Sequence, residues 1–188
     1  VVSRTVTGET ERSSYADIAH RARLLSSALL GRGIAEGDRV ATLAMNHARH
    51  VEAWYGVMGI GAVCHTVNPR LFDEQIVYII NHAGDRILLA DAAFIPLLDR
   101  VLPHCPSIEQ VILFPDGSPE DAPFPTIGYE AFLREAASPA NWAGIDERAA
   151  CGLCYTSGTT GNPKGVLYSH RSNFIHTLLG MQATVVGG

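Results

Sequence analysis

The spacing of apolar residues predicts an amphipathic helix close to the start of the chain. Ser14 and Asp17 form a capping-box pattern, in which two side chains three residues apart satisfy backbone N–H groups at a helix start. Gly31 and Gly33 mark the end of the helical spacing. We interpret the residues before Ser14 as a polar leader. The apolar positions of the predicted helix are Ile18, Ala22, Leu25, Ala28 and Leu29.

Short apolar runs then alternate with helical patterns along the rest of the chain. A run of about four to eight apolar residues bounded by turn residues is typical of a buried strand. The predicted strands are 39–44, 62–67, 86–90, 110–114, 149–155 and 165–169. The predicted helices are one capped by Asn46 and running to about residue 61, then 73–82 ended by Gly84, 92–102, 129–137 and 170–185.

This alternation predicts an α/β fold. Strands joined through helices form a mostly parallel sheet with helices on both faces. Two segments are predicted to be loops, the proline-rich 115–125 and 138–147, which carries Trp142. His170 follows a strand and could contact a ligand, but packing is the favoured interpretation for both His170 and Trp142.

Composition and charge exclude several classes of function. The 188 residues suffice for one domain or for part of a larger one, with 47% hydrophobic residues, a net charge of −5 and a pI near 5.9. Nothing in this balance favours a nucleic-acid partner. The longest uncharged stretch, 53–69, contains three glycines, so no transmembrane segment is predicted. The first residues lack the features of a secretory signal, which favours a cytoplasmic location.

Two pairs of residues have spacings that could indicate a metal site. Cys151 and Cys154 fall on a predicted strand, where residues three apart point to opposite faces, and no second such pair occurs. We expect them to be small buried hydrophobes that bind no metal and form no disulfide. His47 and His50 lie near a helix start without a third ligand, and we expect them to be surface residues.

The stretch 155–166 carries the candidate chemistry. It reads Tyr-Thr-Ser-Gly-Thr-Thr-Gly-Asn-Pro-Lys-Gly-Val and joins two predicted strands. Glycines let backbone N–H groups turn toward an anion, and hydroxyls and a lysine complete such a cradle, so the composition suits a polyphosphate. Clusters of this kind are also common in plain solvated connections. The stretch departs from the Walker A pattern, because Pro163 and Gly165 occupy positions of its second glycine and its Ser or Thr.

The stretch resembles the phosphate-binding signature of the adenylate-forming superfamily, which contains acyl-CoA synthetases, peptide-synthetase adenylation domains and luciferases. Segments 15–17, 37–40 and 68–71 also resemble acyl-CoA synthetases, and 65–91 is most similar to the branch that activates fatty acids or methylthiopropionate. Arg70 and Asp73 are expected to be scaffold. The resemblance assigns catalysis to Lys164, and ATP-phosphate binding to Thr156, Ser157, Gly158, Thr159, Thr160, Gly161 and Lys164.

The resemblance implies a fatty-acid or short-chain acid–CoA ligase. Such an enzyme joins a carboxylic acid to the α-phosphate of ATP and transfers the acyl group to CoA, with Mg²⁺ assisting. The resemblance is also compatible with a homodimer. Another adenylate-forming enzyme with a different acceptor and a non-catalytic nucleotide-binding fragment remain alternatives. Residues 1–188 are expected to be the N-terminal portion of the AMP-binding domain, with the C-terminal domain absent. The family's metal, ribose and acyl-pocket residues are expected beyond Gly188, so the fragment alone is expected to be inactive.

Overall fold

The computed structural model describes residues 1–4, 10–114, 122–156 and 162–181. Short 3-10 turns at Ala92–Phe94 and Leu102–His104 flank the fourth helix. The strands and helices in chain order are β1 Val2–Arg4, β2 Thr10–Arg12, α1 Tyr15–Gly31, β3 Arg39–Leu43, α2 Ala48–Met58, β4 Val63–Thr66, α3 Asp73–Ala83, β5 Ile87–Ala90, α4 Ile95–Val101, β6 Gln110–Leu113, β7 Thr126–Gly128, α5 Tyr129–Arg134, β8 Ala150–Thr156, β9 Lys164–Ser169 and α6 His170–Gly180.

A mostly parallel sheet forms the centre of the described chain. Its strand order is β7-β6-β5-β3-β4-β8-β9, and every neighbouring pair is parallel except β8 and β9, which are antiparallel. β1 and β2 form a separate antiparallel pair. The α/β prediction with a mostly parallel sheet is therefore confirmed.

Helices cover both faces of this sheet. Because successive strand residues point to opposite faces, neighbouring residues enter different cores. Val40 belongs to the cluster that contains residues of α1, α2 and α5, whereas Ala41 belongs to the cluster that contains residues of α3 and α4. Leu89 and Leu88 of β5 divide in the same way. This two-sided burial explains why the central strands are apolar at nearly every position.

The first helix begins as its sequence predicts. The Ser14 hydroxyl accepts a hydrogen bond from the Asp17 N–H at 3.1 Å, and the Asp17 carboxylate accepts one from the Ser14 N–H at 2.9 Å. This reciprocal capping satisfies N–H groups that have no partner within the helix. All five predicted apolar positions of α1 are buried. No helix of the described residues is long and apolar enough to cross a membrane.

The structure corrects several predicted elements. The supposed leader contains β1 and β2, and the segment 126–128 forms β7 at the sheet edge. These strands have only three residues each, too few to show a hydrophobic period. Asn46 does not cap α2, because His47 occupies that position and its side chain accepts a hydrogen bond from the His50 N–H. Part of the predicted loop 115–125 and the end of the last predicted helix lie outside the described residues.

Trp142 packs against α1 and α2, as the favoured interpretation predicts. Its indole N–H donates to the Ser26 hydroxyl at 2.9 Å, and that hydroxyl donates to the Gly56 carbonyl at 2.6 Å. The Arg23 guanidinium lies 4.9 Å from the indole ring. These contacts fasten the loop 138–147 to the helical layer. His170 and Trp142 both line a cavity of about 370 Å³.

Replacing Gly59 by alanine is expected to destabilise this contact. A Cβ atom on Gly59 would lie 2.3 Å from the Trp142 ring, which is closer than atoms can approach, so the indole must move. Overpacking of this kind costs about 1 to 3 kcal/mol. Urea denaturation of the chain measures the effect. Gly31→Ala is the matched control, because nothing lies within 4 Å of its added Cβ. Equal stability of the two variants would contradict the prediction.

Candidate functional site

The candidate phosphate loop leaves the sheet at the carboxyl end of β8. This strand is parallel to β4, which is parallel to β3, so their carboxyl ends meet at one edge of the sheet. Ligands of open α/β sheets bind outside this edge. The loop returns into β9, which runs back along β8. The fold therefore places Thr156 and Lys164, the strand ends on either side of the loop, where such sheets hold their ligands.

Two of the seven predicted site residues lie in the described part of the chain. Thr156 ends β8 and Lys164 begins β9, and the two are register partners. Both are exposed, which leaves the hydroxyl and the ammonium free to meet solvent or a ligand. Lys164 is also the only lysine of the 188-residue sequence. The other five, Ser157, Gly158, Thr159, Thr160 and Gly161, lie outside the described residues.

The stem of the loop is closely packed around Tyr155. A Cβ atom on Gly165 would lie 3.2 Å from Cζ of Tyr155 and 3.1 Å from Cδ1 of Leu153, so glycine lets β9 approach these side chains. The Tyr155 hydroxyl lies 2.6 Å from Nδ1 of His82, in the last turn of α3. Burial raises the pKa of Tyr155, with a further contribution from Asp85. The hydroxyl therefore stays neutral and can donate to His82.

A fully buried polar pair lies beneath Tyr155. Nδ1 of His65 is 2.7 Å from Oδ2 of Asp85, and the His65 ring centroid is 5.1 Å from that of Tyr155. Burial raises the pKa of Asp85, and the hydrogen bond from His65 opposes that shift. Nε2 of His65 and Oδ1 of Asp85 have no hydrogen-bond partner among the described residues. Sequence analysis missed this pair, because residues 20 positions apart share no local pattern.

His47 and His50 have structural roles and are not the surface residues that the sequence suggests. Both are half-buried. Nδ1 of His47 accepts from the His50 N–H at 3.2 Å, so the ring proton is on Nε2, which donates to Asp91 at 2.8 Å. Burial lowers the pKa of His50, whose Nε2 lies 3.0 Å from the Thr42 hydroxyl. These histidines cap and pack helix α2.

Cys151 and Cys154 make separate contacts. Cys151 is buried and accepts from the Asn173 amide at 3.1 Å, whereas Cys154 lies 3.3 Å from the Thr66 hydroxyl. Burial raises the pKa of Cys151, which disfavours the thiolate that zinc binds. We predict that the purified protein holds no stoichiometric zinc. Metal analysis after removal of weakly bound ions checks this, and one zinc per chain that Cys151→Ala abolishes would contradict it.

Comparison with known proteins identifies the family. The family model described as AMP-binding enzyme matches residues 2–187. The chain is 50% identical over 174 residues to 3-methylmercaptopropionyl-CoA ligase of Ruegeria pomeroyi, covering 90% of this chain and 32% of that protein. It is 46% identical to long-chain-fatty-acid–CoA ligase of Thermus thermophilus, covering 95% of this chain and 32% of that protein. The chain thus spans about a third of the length of these relatives.

Solved structures share the fold. The anthranilate CoA ligase AuaEII, solved with anthranoyl-AMP, has a TM-score of 0.82 at 24% identity, over 90% of this chain and 32% of that one. A fatty acyl CoA synthetase of Mycobacterium tuberculosis has a TM-score of 0.64 at 26% identity, over 85% of this chain and 30% of that one. The family match covers nearly the whole sequence, and close relatives and solved structures agree with it. The chain belongs to the family of AMP-binding enzymes.

Proposed function

We propose that this chain supplies the ATP phosphate-binding loop of an AMP-forming acid–CoA ligase. A carboxylate oxygen attacks the α-phosphorus of ATP, and the bond to the pyrophosphate oxygen breaks. The CoA thiolate then attacks the acyl carbon of the acyl-adenylate and releases AMP. The observation that carries the proposal is the signature 155–166, in which Thr156 and Lys164 are register partners at the carboxyl end of β8. The relatives at 46 to 50% identity are named as CoA ligases.

The proposed role of the loop is electrostatic. A carboxylate must approach the polyanion ATP while negative charge builds on the departing pyrophosphate. Positioned hydrogen-bond donors and a cation at that point stabilise the transition state more than the ground state. The backbone and hydroxyls of the predicted site residues would bind phosphate oxygens, and the exposed Lys164 would meet the charge on the leaving group. Lys164 is therefore the proposed catalytic residue.

The described residues contain no group of three or more His, Cys, Asp and Glu side chains that could hold a metal ion. Magnesium commonly reaches such enzymes on the phosphates of its nucleotide, with few protein ligands. We therefore propose MgATP as the co-substrate and assign no step of the reaction to the metal within this chain.

The proposed acid is a fatty acid or a short thioether acid. The names of the relatives carry this choice, since they include ligases for methylmercaptopropionate, medium-chain and long-chain fatty acids. The proposal includes a cytoplasmic location, where ATP and CoA are available, and a role in fatty-acid metabolism. It also includes a homodimer as the assembly to test by light scattering.

The exposed apolar surface of β9 and α6 supports a longer functional protein. Large apolar surfaces on soluble proteins mark contacts with other protein segments. In a ligase as long as the relatives, further parts of the chain would cover these side chains, and residues 1–188 would be the N-terminal part of the adenylation domain. The residues concerned are Val166, Leu167, Tyr168, Phe174, Ile175, Leu178 and Leu179, together with Met181 directly after α6.

An AMP-release assay tests the function. It uses the gene-length protein, meaning the complete translated gene product that contains these 188 residues, with ATP, Mg²⁺, CoA and carboxylic acids from short to long. We expect AMP release that requires both acid and CoA, together with an acyl-CoA product. Acid-dependent pyrophosphate release without acyl-CoA would instead indicate a different acceptor. No acid-dependent release would leave only nucleotide binding, and the 188-residue chain in parallel is expected to be inactive.

A further inference from the structure

Tyr155 is held on three sides, directly beside the strand ends that carry Thr156 and Lys164. Its hydroxyl bonds to His82 of α3 at 2.6 Å, and its ring lies against His65 of β4 with 5.1 Å between centroids. On the third side, the missing side chain of Gly165 leaves room for the ring. One side chain thus connects α3, β4 and β9 at the stem of the candidate loop.

The two rings that contact Tyr155 each have a second partner. Buried polar groups are costly unless they are hydrogen-bonded, so the bond between His65 and Asp85 favours one orientation of the His65 ring. On the other side, His82 stacks on Tyr78 at 5.3 Å between ring centroids, which orients the nitrogen that faces the Tyr155 hydroxyl. Both partners of Tyr155 are therefore themselves oriented by neighbours.

We infer that Tyr155 and His82 form a positioning pair for the adenylation step. This inference rests on the proposed function. Neither residue is assigned a contact with substrate; their hydrogen bond restrains the end of β8, and through Gly165 it restrains the start of β9. Transition-state stabilisation depends on donors held within a narrow geometry. Loosening the strand ends that carry Thr156 and Lys164 therefore slows the step that uses the phosphates and spares thioester formation.

Kinetics of the gene-length protein test the inference. Tyr155→Phe and His82→Ala each remove one side of the hydrogen bond, and acid-dependent pyrophosphate exchange is expected to slow about 2- to 10-fold in each. The rate of pyrophosphate exchange in the double variant is expected to be no lower than in the slower of the two single variants, because the two residues act through one bond. Thioester formation from supplied acyl-adenylate and CoA keeps its rate. His82→Asn, whose amide can replace Nδ1, restores most of the exchange.

Amide hydrogen exchange gives a second readout that does not depend on activity. Backbone amides of 154–156 and 164–166 are expected to exchange faster in Tyr155→Phe and His82→Ala, with unchanged melting temperature. Tyr55→Phe removes a hydroxyl from a tyrosine that is 54% exposed on α2, and it is the control expected to change nothing. Unchanged amide exchange, or equal losses in both half-reactions, would overturn the inference. An inactive parent protein would refute the proposed function and the role in adenylation, while amide exchange would still decide whether the pair restrains the strand ends.

Discussion

Replacing Arg21 by alanine is expected to lower the free energy of unfolding by about 3 to 5 kcal/mol, because it leaves the buried carboxylate of Glu52 without its main partner. Glu52 is fully buried, and Nε of Arg21 lies 2.9 and 3.0 Å from its two oxygens. The Tyr129 hydroxyl donates a further hydrogen bond at 2.9 Å. The remaining Arg21 nitrogens bind Glu130 of α5 at 3.1 and 2.6 Å. One guanidinium thus joins α1, α2 and α5.

The pH dependence of this loss has a definite sign. Burial raises the pKa of Glu52, and the hydrogen bond from Arg21 opposes that shift, so removing Arg21 raises the pKa further. A carboxyl whose folded pKa lies above its unfolded value favours the folded state at low pH and loses that contribution as pH rises through the folded pKa. The stability difference between the parent chain and Arg21→Ala is therefore expected to shrink as the pH is lowered from neutral toward 5.

An exposed ion pair provides the control for Arg21. Arg32 makes a two-pronged pair with Glu135 at 2.7 to 3.0 Å, with side chains 38% and 39% exposed. Solvent screens such pairs, and breaking one costs about 0 to 1 kcal/mol. Urea denaturation of the parent chain, Arg21→Ala and Arg32→Ala measures both values. Losses of similar size would show that burial of Glu52 does not decide the effect.

Lys164→Ala is expected to slow acid-dependent pyrophosphate exchange by about 10- to 1000-fold in the gene-length protein, because it removes a charge-assisted donor from the leaving pyrophosphate. The fold should be unaffected, since the Lys164 side chain is exposed. Lys164→Arg keeps the positive charge with a different donor geometry, and a smaller loss is expected. An unchanged exchange rate in a well-folded Lys164→Ala protein would remove the residue from the proposed mechanism.

Local signals were sufficient to predict most of the fold. The capping box of α1, the left-handed Gly84 at the end of α3 and the apolar runs of the central strands all lie within a few residues of the elements they define. The three-residue strands escaped prediction because they are too short to show a hydrophobic period, and pairing with a neighbouring strand stabilises them. His47, and not the predicted Asn46, caps helix α2, because the imidazole nitrogen can accept a backbone hydrogen bond just as an asparagine side chain can.

The candidate site also combines residues that a local sequence pattern predicts with residues that only the folded chain brings together. The phosphate-loop residues form one continuous stretch, so a sequence pattern can identify them, and their role in binding stays a prediction. The groups that support the stem from outside β8 and β9 are His82 of α3 and His65 of β4. His82 and Tyr155 are 73 positions apart, so only the folded chain brings them together. The same holds away from the site for Arg21 and Glu130, which are 109 positions apart. Polar pairs between residues so far apart in sequence have no local periodicity for a sequence analysis to detect.

The central claim is that the chain supplies the phosphate loop of an AMP-forming ligase. Following one carboxylate oxygen of the acid through the reaction tests this claim most directly. The gene-length protein is incubated with ATP, Mg²⁺, CoA and a fatty acid labelled with oxygen-18 in both carboxylate positions. If a carboxylate oxygen attacks the α-phosphorus, it remains bound to phosphorus when the thiolate attacks the acyl carbon. We predict AMP that carries one labelled oxygen, formed more slowly by Lys164→Ala. Unlabelled AMP, or label in inorganic phosphate released together with ADP, would contradict the account.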